Sequence, residues 1–577
     1  MAESKSLFRK TPILQICLLG IIFIINIRDI RELTSPCILF DEVGYWSSAA
    51  LFTGNDWSEV MSTMTTYYAY GYGLVLSLIL LITNSQTMAY QIAIVMNAVM
   101  ICLSFLMNYY LLLKICNPKN KKIAMFVSFA TQFYISVAFN SQIAWTEILL
   151  MFLFNLLIVV LYKTVVKNSF FFNTILAILG IYLFMVHMRT LGVLICLIAF
   201  RIFLFLIRKE KKKFIVCFFI TLVFGLVLHY FMYNYVTDNI WNNFSAEIEN
   251  LSQDVRGNNF SGQLGKIAFF FSFSGICTFL FLLVGRVFYL GISTFGLAFE
   301  GLYCIVKDIK NAVQKREYNE EGALISFFIL ITLVLTWCIS SLFMIFRGRL
   351  DLIVYSRYTD WIIQPVLAFG WMHFLEKTCD NKFFKRYIYF TIFLLIYSLL
   401  FQKYADIYAG QAYFGSCAPY GFFFYRNGNV STWVYYMAIY SCIIIGGYLF
   451  VKYFNKKSIL IIFTIYICFS WVYLASYSLK PEYENACRQE VRKISDYISS
   501  EDQIYYVIAE GTREQQLIGA IQFCLKDRTI QCISDEEKNG LTDGIVIISC
   551  KDEQGNLFFR NDKMIITTKH YNIYRLE

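Results

Sequence analysis

Asp41 and Glu42 stand side by side in Phe40-Asp41-Glu42-Val43-Gly44-Tyr45-Trp46, and a third acid, Glu147, follows Asn140-Ser141-Gln142-Ile143-Ala144-Trp145-Thr146. A carboxylate in such a place can take the proton from a hydroxyl as that oxygen attacks. Plainer readings exist for the same residues. The pair can be a solvated loop pair, and Glu147 can simply complement a helix N-terminal dipole, worth about 0.3–1 kcal/mol. Cations that suit an anion accompany these acids. His187 and Arg189 occur in Val186-His187-Met188-Arg189-Thr190, and Arg347, Arg349 and Arg357 crowd the stretch from Phe346 to Asp360, with Tyr358 beside Arg357. Arginine presents a planar fork that donates two hydrogen bonds at once to a phosphate. Snorkelling anchors are the alternative for His187 and Arg189. Lys403 and Arg426, in 402–432, are further basic candidates.

These residues can act together only if the chain brings them to one side of a membrane. The 577 residues are 58% hydrophobic and only 16% charged, and the mean hydropathy is +0.55. Apolar runs of ~20 residues are what a membrane-crossing helix needs. Spans are expected near 11–27, 88–113, 123–140, 147–163, 170–186, 190–207, 214–234, 282–306, 323–346, 361–376, 387–401, 433–452 and 458–476. The result is an α-helical polytopic membrane protein with about 13 transmembrane helices. The first run lacks a small-residue cleavage site and reads as an anchor rather than a signal peptide.

One short segment decides the sidedness. Gly73 to Ile82 is apolar but only about half a bilayer thick. If it lies in the interface, Lys5, Arg9 and Lys10 fall inside, together with the basic loops at Lys114–Lys122, Lys163–Lys167, Arg208–Lys213, Lys307–Arg316, Lys377–Arg386 and Lys452–Lys457. That single assumption places every one of these basic loops on the inside, as the positive-inside bias requires. The N-terminus is then cytoplasmic, the C-terminus is outside, and all the acids and arginines named above share the outer face. Residues 267–281 are expected to be interfacial, and 235–266 to form an outer loop. From about Pro481 the composition turns polar. Glu482–Ser499 and Glu514–Cys524 read as helices, and Ile504–Ile508 and Ile545–Ile548 as strands. The expected organisation is a membrane unit over 1–480, its first outer loop over 28–87, and an extracytoplasmic α/β domain over 481–577.

Several classes are disfavoured. The net charge of +10 is spread over cytoplasmic loops, so it is not a nucleic-acid signal. The 17 cysteines form no CxxC pair, and the 4 histidines lack metal-ligand spacing. Cys487, Cys524, Cys532 and Cys550 can pair only in an oxidising space, and the sequence leaves that open. GxGxxG and P-loop lysine motifs are absent, which disfavours a nucleotide-driven pump. A lipid or polysaccharide transporter or flippase is the alternative class, although few ionisable residues lie deep in the apolar runs, and a non-catalytic membrane scaffold or polysaccharide assembly partner is a third.

The order of these motifs resembles the GT-C superfamily of polytopic glycosyltransferases, which includes protein O-mannosyltransferases and aminoarabinose transferases. Asp41-Glu42 matches that superfamily's acidic motif in a large first outer loop, and Tyr68-Ala69-Tyr70-Gly71-Tyr72-Gly73-Leu74 is similar to its interfacial stretch, without the proline often found there. Thr146-Glu147 resembles the second acid at a helix start, Arg189-Thr190 the basic position after the fifth helix, and Arg357-Tyr358 with Pro365 the Arg-Tyr element.

The resemblance implies a plasma-membrane enzyme moving a hexosyl or pentosyl group from a polyprenyl-phosphate donor, with inversion, to a hydroxyl or amine of a glycan, lipid or protein. Asp41 is then the base. Arg357, Tyr358, Arg189, Arg349 and His187 hold the donor phosphate. Glu42 and Glu147 orient sugar hydroxyls or a divalent cation, two roles the sequence does not separate. No other cofactor is implied, and the expected partners are the lipid-linked sugar, its acceptor and membrane lipids.

Overall fold

The computed structural model describes the chain apart from residues 1, 37–39, 64–67, 242–263, 318, 346–349, 356, 377–380, 406–429, 454–456, 484–489, 492, 495, 500, 508–514, 534–536, 550–563, 569–570 and 577. It is a helical bundle followed by a small sheet. Eight helices among the described residues are long and apolar enough to cross a bilayer, and Pro12–Asn26, Gly71–Ile82 and Phe170–Val186 are shorter apolar helices. The chain is a multi-pass membrane protein.

Helix α1 (Ala2–Asn26) leads into the first loop, which folds as α2 (Phe40–Phe52), α3 (Ser58–Thr63) and α4 (Gly71–Ile82). The 12 residues of α4 rise about 18 Å, well short of a hydrocarbon core of about 30 Å. Helices α5 (Gln86–Leu111), α8 (Thr146–Val166), α9 (Phe170–Val186), α10 (Leu191–Arg208) and α11 (Lys212–Val236) follow. Between α5 and α8 the expected span 123–140 is broken into α6 (Lys121–Thr131) and α7 (Ile135–Asn140). The break coincides with buried polar side chains: Gln132 Nε2 donates to Ser128 O at 2.9 Å, and Gln364 Nε2 donates to Gln132 Oε1 at 2.7 Å.

A second difference concerns the expected span 282–306. The chain forms a short helix α12 (Leu264–Phe270), then α13 (Phe273–Thr294) and α14 (Leu297–Lys315). Residues 273–281 thus belong to a long helix. The turn sits at Phe295 and Gly296, both in the left-handed region at φ 50° and 80°. Gly296 adopts it without the Cβ penalty that other residues meet there.

Helices α15 (Glu321–Phe343) and α16 (Ile363–Glu376) follow, then α17 (Asn381–Ala405), α18 (Val430–Tyr453) and α19 (Lys457–Tyr483). Pro365 lies in the first turn of α16, where its missing N–H costs no helical bond. Helices α14 and α16 cross at two glycines: a Cβ on Gly301 would overlap Val366 O, and one on Gly370 would overlap Leu297 O. Small residues let helix backbones approach this closely in membranes.

The C-terminal sheet has the order β2-β1-β3-β5-β4. Strand β1 (Ile504–Val507) runs parallel to β2 (Ile530–Ile533) and β3 (Gly544–Ser549). Strands β4 (Met564–Thr567) and β5 (Tyr571–Leu576) extend it in antiparallel fashion. Helix α20 (Gln515–Cys524) joins the parallel pair β1 and β2. Cys524 and Cys532 are free thiols, and Cys487 and Cys550 lie outside the described residues. The sheet unit docks on the first loop. Phe523 packs on Trp46 at a ring distance of 5.0 Å and on Tyr90 at 6.3 Å, and Trp57 Nε1 donates to Lys526 O at 2.9 Å.

Candidate active site

Four element ends meet at one end of the bundle: the start of α2, the start of α8, the turn between α9 and α10, and the segment leading into α16. Glu147 lies in the first turn of α8 with its side chain only 4% exposed. Such burial is costly for a carboxylate unless partners compensate it. Two do. Arg189 Nη2 donates to Glu147 Oε1 at 2.9 Å, and Arg357 Nε donates to the same oxygen at 2.5 Å. Arg357 Nη1 then reaches Asp41 Oδ2 at 2.5 Å. One guanidinium thus links acids from α2 and α8.

Aromatic rings fix the cations. The Arg357 guanidinium lies 3.9 Å from the centre of the Trp145 ring, and that of Arg189 lies 5.0 Å from Tyr358. Cation–π contacts of this kind strengthen as water is excluded. Tyr358 also approaches His187 at 6.0 Å and Tyr355 at 5.0 Å. The backbone N–H of Arg189 donates to His187 Nδ1 at 3.2 Å, a role that needs a bare ring nitrogen. Burial first, then the charges of Arg189 and Arg357, push the His187 pKa well below the usual histidine value. His187 is therefore neutral at physiological pH. Burial opposes the charge on Arg357, but Glu147 and then Asp41 override it and hold that pKa well above the ordinary value.

Of the acids, Asp41 is the one open to solvent, at 29% side-chain exposure. Tyr68 hydrogen-bonds it. Burial, followed by the charge of Asp41, pushes the Tyr68 hydroxyl well above its usual pKa, so it stays a donor. Glu42 is fully buried and turned elsewhere: its Oε1 accepts from the Tyr90 hydroxyl and from Ala144 N at 3.1 Å. It holds α2 to α5 and to the residues before α8, outside the arginine group. Arg189 keeps two nitrogens, Nε and Nη1, buried with no hydrogen-bond partner among the described residues. Such unmet donors are uncommon in a folded chain and call for an explanation.

The structure therefore gathers Asp41, Glu147, Arg189, Arg357, Tyr358 and His187, and separates Glu42 from them. Arg347, Arg349 and Arg426 lie outside the described residues, as do the Lys403 side chain and 242–263 of the loop expected over 235–266. Trp145, Tyr68 and Tyr90 are site neighbours to which the sequence assigns no role in the site. Their one-dimensional signals are the adjacency of Trp145 to Thr146-Glu147 and the place of Tyr68 at the head of the Tyr68–Leu74 stretch. Among the described residues no three of His, Cys, Asp and Glu come together as a cation site. Glu147 Oε1 already takes two guanidiniums, and Glu42 Oε1 a hydroxyl and an amide.

Protein-family profiles and curated proteins give no match to this chain. Solved structures do. The chain is similar to ArnT from Cupriavidus metallidurans bound to undecaprenyl phosphate, with a TM-score of 0.54, 10% identity, and 97% of each chain covered. It is equally similar to the apo state of that protein, with a TM-score of 0.53 and 10% identity over 100% of this chain and 98% of that one. The chain thus shares its overall fold with these ArnT structures, and at this identity the likeness concerns the fold.

Proposed function

We propose that the protein is a membrane glycosyltransferase that moves a hexosyl or pentosyl group from a polyprenyl phosphate to an acceptor hydroxyl or amine of a glycan, lipid or protein. The observation that carries the reading is the Asp41–Arg357–Glu147–Arg189 chain of contacts, a partly exposed acid beside two buried guanidiniums. The ArnT structure bound to undecaprenyl phosphate, which shares the fold, supports a lipid-phosphate donor.

The donor phosphate sits against Arg189 and Arg357. Arg189 Nε and Nη1 offer it hydrogen bonds that the described residues leave unused. The phosphate competes with Asp41 for Arg357 Nη1 and so releases the carboxylate. Asp41 then takes the proton of the acceptor group as its oxygen or nitrogen attacks the anomeric carbon. The bond from that carbon to the phosphate oxygen breaks on the opposite face, which inverts the centre. Polyprenyl phosphate leaves, its new charge held by the two arginines, donors already aimed where charge develops. Glu147 keeps both guanidiniums side by side, and His187, being neutral, adds no competing charge. Glu42 shapes the loop instead of touching substrate.

The positive-inside pattern supports a plasma-membrane setting with the N-terminus in the cytoplasm and the site on the outer face. Residues 1–480 form the membrane unit, with 28–87 as its outer loop, and 481–577 form an outer cap. The test is mass spectrometry of products formed from synthetic polyprenyl-phosphate sugars by the purified protein. A glycosylated acceptor and free polyprenyl phosphate are expected. Recovery of the lipid-linked sugar unchanged across the bilayer would instead mark a flippase.

A further inference from the structure

Arg286 lies in the middle of α13, an otherwise apolar membrane helix, and is 1% exposed. An arginine at such a depth is expensive and tends to mark function. Its fork is spent on the protein backbone and on serines. Nε donates to Ser341 Oγ at 2.9 Å, Nη2 donates to Ser340 O at 3.0 Å, and Nη1 donates to Tyr355 O. Ser340 and Ser341 end α15, whereas Tyr355 belongs to the segment that carries Arg357. The neighbouring Gly285 completes the seat, because a Cβ there would overlap Ile353 O. The Gly285-Arg286 pair thus receives the backbone of 353–355 at close range and pins it to α15. Two residues further on, Arg357 meets Glu147 and Asp41. The Tyr355 ring also rests on Tyr358, which faces Arg189.

We infer that Arg286 is a positioning residue: by gripping the Tyr355 carbonyl from α13 it sets where Arg357 and Tyr358 present themselves to the donor phosphate. The part about the donor rests on the function proposed above; the gripping of the segment does not. Arg286 touches no reacting group, so it acts only through the segment 353–358. A residue that merely stabilised the bundle would weaken every property in parallel.

The experiment uses the full chain purified in detergent, with Arg286→Lys, Arg286→Gln, Ser341→Ala, Arg357→Gln and the double variant Arg286→Gln/Arg357→Gln. Hydrogen exchange is followed in peptides spanning 350–358 and, as a reference, in Thr146–Val166. Binding of undecaprenyl monophosphate is measured in parallel. Arg286→Gln is expected to speed exchange in 350–358 but not in the reference helix. It should also weaken binding of the probe by about 10-fold, equal to about 1.4 kcal/mol. Arg286→Lys should restore part of both, and the double variant should bind no worse than Arg357→Gln alone. Multiplying losses in the double variant would overturn the inference, as would unchanged exchange in 350–358. If Arg286→Gln does not fold, Ser341→Ala and Arg286→Lys decide: normal exchange in both overturns the inference. If the unmodified protein does not bind the lipid phosphate, the donor reading fails, and exchange alone decides the role of Arg286.

Discussion

Arg357 Nε donates to Glu147 Oε1 at 2.5 Å across 210 residues of chain, with both side chains almost fully buried. This contact joins the start of α8 to the segment before α16, and Arg189 joins it from a third element. Replacing Glu147 by Gln removes the charge that two buried guanidiniums share. Breaking a buried pair from one side costs about 3–5 kcal/mol. A marked drop in melting temperature and loss of transfer are both expected, readable by fluorescence-monitored unfolding in detergent. Unaltered melting would show that the pair is not buried as described.

Asp41→Asn keeps the shape of the side chain and removes the proposed base. Transfer should fall by about 10²–10⁴-fold, the usual share of a general base. Donor binding should hold or tighten, because Arg357 loses a competitor. Turnover and lipid-phosphate binding measured on one preparation check both parts, and turnover near that of the unmodified protein would remove Asp41 from the base role.

His187 makes stability depend on pH. Its folded pKa lies well below the ordinary 6.5, so the unfolded chain binds the proton first as pH falls. Its contribution is complete above about pH 6.5 and drains away as pH drops toward the folded value. Melting temperatures between pH 5 and 7.5 should fall on the acid side, and His187→Gln should flatten that slope. An identical slope in the variant assigns the acid sensitivity elsewhere.

Phe523 fills a buried contact between the C-terminal unit and the first loop, against Trp46 and Tyr90. Truncating a buried phenylalanine costs about 3–5 kcal/mol. Phe523→Ala should therefore release the C-terminal unit to limited proteolysis while the membrane helices stay intact. Because Tyr90 also holds Glu42, turnover should fall as well.

Much of this arrangement is legible in one dimension, for identifiable reasons. Arg189 and Arg357 stand out because, on the sidedness expected from the basic loops, they depart from the positive-inside bias, and Glu147 because it opens an apolar run. The polar shift near Pro481 announces the sheet unit, with β1, β3 and α20 visible from alternation and periodicity. Strands β2, β4 and β5 are short and mixed in character, and they escape notice. Hydropathy reports how apolar a run is, not its path, so the turn at Phe295-Gly296 stays hidden inside 282–306. Pairing is equally invisible: nothing in the order of residues tells that Glu42 and Asp41, adjacent in the chain, point to different partners. Arg286 draws no notice inside the run 282–306, because its carbonyl and serine partners come from distant parts of the chain.

The glycine crossing at Gly301 and Gly370 leaves α14 and α16 no room to slide or twist against each other. A larger side chain at either position would wedge that contact open and, through α16, displace the segment that carries Arg357.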